Sequence, residues 1–122
     1  MIIALWVVNG LLALAFLGAG TMKLLKSKEA IVAGGMRWAE DVSPAGIKAI
    51  GAVELLGAIG LILPLLLNIA PVLAPIAAVG LVITMAVAII VHVRLKEKFI
   101  VNLVLGGLAL VSTVLGFLVV LG

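Results

Sequence analysis

"LLGAIGLILPLLLNIAPVLAPIAAVGLVITMAVAIIV", residues 55–91, runs for 37 residues without a charged side chain. About 20 apolar residues carry a helix across the hydrocarbon core of a bilayer, so this run is too long for one span. Pro64, Asn68, Pro71 and Pro75 punctuate it. Proline removes a rung from the helix ladder, and the residue before it is biased away from helix. The run therefore divides at a tight hairpin near 66–71, with a helix before it over about 44–66 and another after it over about 71–95. Ser43 is a suitable N-cap for the first of these, and Pro44 suits its first helical position.

Outward from that hairpin the pattern repeats. Residues 1–22 and 99–122 carry no charge, which adds an N-terminal span over about 2–25 and a C-terminal one over about 99–121. The N-terminus lacks a basic leader region and a small-residue cleavage site, so the first segment is expected to be a retained span. The chain of 122 residues is 66% hydrophobic and 11% charged. A soluble domain of this size has too little interior to hide so much apolar surface. Backbone polar groups inside lipid must be satisfied within the span, which selects helices. The expectation is one all-α domain, an integral membrane four-helix bundle of up-down topology, with no separate soluble module.

Charge then orients it. Lys23, Lys26, Lys28, Arg37 and Lys48 lie at or between spans one and two, and Arg94, Lys96 and Lys98 join spans three and four. The hairpin and the terminal segments have no basic residue. The positive-inside rule puts the first and third connections in the cytoplasm and both termini outside. This topology accounts for the net charge of +3, and nucleic acid is not implied. The connection over 27–43 mixes charge with Ile31, Val32, Met36, Trp38 and Val42, which suggests a short interfacial helix broken at Gly34–Gly35. Trp38 suits the inner interface and Trp6 the outer one.

Few polar residues remain within the spans. Glu54 lies six residues past Lys48, about 9 Å deeper along a helix. Lys23, His92 and Asn102 sit at similar depth on the other three helices, all toward the cytoplasmic half. Ionisable groups inside a membrane normally face the bundle interior and mark function. A carboxylate buried alone takes up a proton or finds a cation. Lys23 is the cation nearest in depth, and His92 and Asn102 are further hydrogen-bonding partners. Each residue also has a plain structural reading. Glu54 can serve an ion pair that only fixes packing, Lys23 can snorkel, His92 can sit at the interface, and Asn102 can bond a neighbouring helix. Asn9 and Asn68 lie toward the opposite face and look structural. Small residues in span two (Ala49, Gly57, Gly60) and span four (Ala109, Thr113, Gly116) suit close packing within the bundle, with a homodimer face as the alternative.

Phosphate-loop, zinc-protease, nucleophile-elbow and paired-cysteine motifs are absent. With one histidine and no cysteine, a transition-metal or haem site is not expected.

"GAGTMKL" (18–24) closing span one, "GAVELLGAIGL" (51–61) in span two, a histidine ending span three and an asparagine in span four resemble the DoxX-like family of small four-helix membrane proteins. The resemblance covers nearly the whole chain. It implies a four-helix bundle and carries over Lys23 and Glu54 as matching motif positions, with His92 beside them. Some family members are described as membrane subunits of quinone-linked oxidoreductases, and distant animal relatives as assembly chaperones for ion-channel receptors. Two functions are therefore in play. One is an accessory protein, without catalysis of its own, that binds a lipophilic small molecule such as a quinone or lipid, supports a membrane oxidoreductase partner, or does both. The other is a non-enzymatic assembly or interaction protein. Proton-coupled transport is weaker, because four short helices without an evident inverted repeat are few for alternating access.

Overall fold

The computed structural model describes residues 1–122. It contains no strand and five α-helices: α1 (Ile2–Leu25), α2 (Lys28–Ala33), α3 (Pro44–Leu67), α4 (Leu73–Arg94) and α5 (Ile100–Leu121), with a 3-10 turn at Arg37–Asp41. The four long helices have the length and apolar composition to cross a membrane. The molecule is an all-α, integral membrane four-helix bundle.

The sequence explains where each helix starts and stops. Ser43 caps α3 by accepting from the Gly46 N–H at 3.0 Å, and Pro44 occupies the first helical position. At the other end Asn68 takes a left-handed conformation, φ 52°, and its N–H donates to the Pro64 carbonyl. Asparagine tolerates that conformation better than a branched residue would. Pro64 lies inside α3 and cannot donate to the turn before it, yet the helix runs on to Leu67. The hairpin therefore occupies 68–72, slightly later than the prolines alone suggest.

The helices run antiparallel in chain order. α1 packs most closely on α3 and α4 on α5, and the α3–α4 and α1–α5 seams close the ring. Leu12, Phe16, Leu61, Leu81, Met85 and Ala109 fill the centre. Only 22 of the 122 residues are buried, while Leu14, Leu56, Ile83, Val101 and many others present apolar side chains outward. Water would make that surface costly, but for lipid it is the natural boundary.

Glycines set the tightest approaches. A Cβ at Gly20 would stand 2.7 Å from the Gly51 carbonyl oxygen, and one at Gly51 would stand 2.8 Å from the Lys23 Cβ. Gly57 faces Leu81, Gly60 faces Ala77 and Gly116 faces Pro75 in the same way. These contacts lie within the bundle. Ala49, expected among the packing residues, is exposed instead.

The connection between α1 and α3 folds back on the bundle end. α2 stops at Gly34, the chain turns through Gly35 at φ 102°, and the 3-10 turn follows. Ile31, Ala39 and Ile47 form a small second core there, packed by Met22, Trp38 and Val42.

Candidate functional site

Gly20 and Lys23 are one turn apart on α1, and Gly51 and Glu54 are one turn apart on α3. The glycine contact brings the two backbones together, with Lys23 opposite Gly51 on the facing helix, and the two charged side chains meet across it. Lys23 Nζ lies 2.7 Å from Glu54 Oε1, with both side chains almost wholly buried. The contact is an ion pair between α1 and α3. The indole of Trp38, on the 3-10 turn, stands with its ring centroid 5.9 Å from the same ammonium. The cation is thus held between a carboxylate and an aromatic face.

The sequence placed four polar residues at this depth, and the structure brings two of them together. His92 and Asn102 do not join Lys23 and Glu54. His92 Nδ1 faces Glu97 Oε1 at 3.8 Å, and neither atom has a hydrogen-bond partner. Asn102 Nδ2 approaches the Met85 sulfur at 3.8 Å. The reason is the pairing of helices. Lys23 and Glu54 face the α1–α3 seam, whereas His92 and Asn102 belong to the α4–α5 side of the ring.

A second polar set lies toward the other end of the bundle. Asn9 Nδ2 donates to the Leu61 carbonyl at 2.9 Å, and the Ser112 hydroxyl donates to Asn9 Oδ1. Both side chains are buried, so α1, α3 and α5 are joined by a buried hydrogen-bonded link. This fits a structural part for Asn9. Ser112 carried no signal, since a serine on a membrane helix commonly bonds its own backbone.

Lys48 also does more than mark topology. Its Nζ donates to the Leu24 carbonyl at 2.7 Å and so satisfies an end group of α1. Lys28 Nζ donates to the Glu40 carbonyl at 3.0 Å and ties α2 to the 3-10 turn. With Lys23 and Lys26 these lysines line a cavity of about 370 Å³ between α1, α2 and α3.

Residues 7–118 match the model of the DoxX-like family. The chain belongs to the DoxX-like family. In this DoxX-like bundle the lysine and glutamate that carried the resemblance are the two that pair. No curated protein and no solved structure matches the chain. No group of three or more histidine, cysteine, aspartate or glutamate side chains is placed to hold a metal ion.

Proposed function

We propose that this DoxX-like protein is an accessory membrane protein that holds the head of a lipophilic molecule, a quinone or a lipid, at the Lys23–Glu54 end of the bundle. It supports a membrane oxidoreductase partner and performs no catalysis of its own. The observation behind this reading is a buried ion pair whose cation, Lys23, lines a cavity. Apolar side chains often replace a buried pair at no loss of stability, so packing alone is a weak reason to keep one. Lys23, which lines the cavity, presents ammonium donors that suit the carbonyl oxygens of a quinone head, and Glu54 holds that ammonium in place. A bound quinone would supply the electron-carrying chemistry, and these residues would hold and orient its head.

The orientation belongs to the same proposal. All eight basic residues lie on or beside the two connections at one end of the bundle. That end faces the cytoplasm by the positive-inside rule, and both termini lie outside the cell or inner membrane. A second reading, an assembly chaperone or interaction protein, is favoured by one feature. Trp38 and the folded-back connection already cover the pair, which suits a purely structural pair.

Native mass spectrometry of gently solubilised protein separates the two. A quinone or lipid retained by the native chain and lost from Glu54→Gln supports the first. A co-purifying protein, with no small molecule and no change in Glu54→Gln, supports the second.

A further inference from the structure

The end of α1, the start of α2 and the first turns of α3 border the half-open cavity of about 370 Å³. Four lysines line it, Lys23, Lys26, Lys28 and Lys48, beside Ser27 and a single acid, Glu29. Glu54 neutralises Lys23, and Lys26, Lys28 and Lys48 against Glu29 leave an excess of two positive charges on this wall. Three of these amines are also ordered. Lys48 is fixed by the Leu24 carbonyl, Lys28 by the Glu40 carbonyl, and Lys23 by Glu54. Each ammonium has three donors, so Lys28 and Lys48 keep two apiece for a ligand. Ordering donors before the ligand arrives lowers the entropy lost on binding.

We propose that this cavity holds the phosphate head of an anionic membrane lipid. The inference rests on the reading that this end of the bundle receives an amphiphile's head, and it names the class. Phosphate oxygens accept from the lysine donors, and their charge offsets the local excess of cations. A free phosphate ion has the same chemistry, but the surroundings favour a lipid. The cavity lies where the apolar lengths of α1 and α3 end, which is the depth of headgroups. Leu25, 79% exposed, stands on its wall and continues onto the lipid-facing flank of α1. Basic pockets between membrane helices recognise anionic heads in this way.

The test uses the full chain in neutral detergent, titrated with phosphatidylglycerol, phosphatidylcholine or inorganic phosphate, and read by native mass spectrometry and thermal melting. Phosphatidylglycerol should be retained and should raise the melting temperature, with phosphatidylcholine several-fold weaker. Lys26→Gln should weaken retention about fivefold, and Lys26→Gln with Lys28→Gln by more. Lys26 is exposed, so its removal leaves the fold intact. Lys96→Gln with Lys98→Gln, on the other connection, should change nothing. Equal loss in that control pair would overturn the site. Stabilisation by inorganic phosphate as strong as by phosphatidylglycerol would overturn the lipid. Retention of quinone or phosphatidylcholine without preference for phosphatidylglycerol would overturn the anionic class and leave the broader ligand reading standing. No bound amphiphile of any kind would overturn both.

Discussion

Removing either Lys23 or Glu54 leaves the other charge buried at the α1–α3 seam. Breaking one side of a buried pair costs about 3–5 kcal/mol, whereas replacing both partners by apolar groups is often near neutral. Lys23→Met and Glu54→Gln should therefore each lower the melting temperature in detergent, and the double variant should recover much of the loss. Strictly additive losses would show that the two side chains are not coupled. The link through Asn9 invites a smaller test. Ser112→Ala leaves Asn9 Oδ1 buried without its donor, and hydrogen bonds between membrane helices are worth about 0.6–1.7 kcal/mol. A loss in that range is expected in equilibrium unfolding, and no change would remove the link from the forces that hold α5. Sequence position gave the depth of Lys23, Glu54, His92 and Asn102, because rise per residue is fixed along a helix. Their partners could not be read in the same way. These helices are apolar all round, so no stripe marks which side faces a neighbour.

At the scale of the element, two kinds of glycine separate. Gly20 and Gly51 stand where α1 and α3 touch, and an added Cβ would meet backbone atoms that cannot move aside. Gly20→Ala should push the helices apart, stretch the Lys23–Glu54 contact and lower the melting temperature by several degrees. Gly18 and Gly107 have open space around them. Alanine there should stabilise by about 0.5–1 kcal/mol, because it gives up less backbone freedom on folding. A melting temperature lowered equally in all three variants would contradict the assignment of close approach to Gly20 and Gly51. Helix boundaries were legible in advance, since Ser43, Pro44, Asn68 and the prolines act locally. The Gly20–Gly51 contact was not, because it joins residues far apart in the chain through a seam that composition does not announce.

At the scale of the whole molecule, the long uncharged runs and the two basic connections made the four-helix membrane fold legible. The orientation proposed from those charges has a direct check, since the native chain has no cysteine. Ala33→Cys, in the exposed part of the first connection, should label only after a reagent reaches the cytoplasm. Ile69→Cys, in the hairpin, should label from outside intact cells. The reverse pattern would invert the topology, and labelling of each from both sides would mean dual insertion.

The ion pair between α1 and α3 also bears on how the protein is made. Glu54 lies near the middle of its helix, where a lone carboxylate resists entry into hydrocarbon. Lys23 lies at the end of α1 that meets the membrane surface and is synthesised first. When α3 leaves the ribosome and reaches the translocation machinery, its counter-ion is already waiting at the lipid boundary. Order of synthesis thus matters: α1 supplies the cation before α3 arrives, and a chain with these two segments exchanged in order would present the acid before that cation exists.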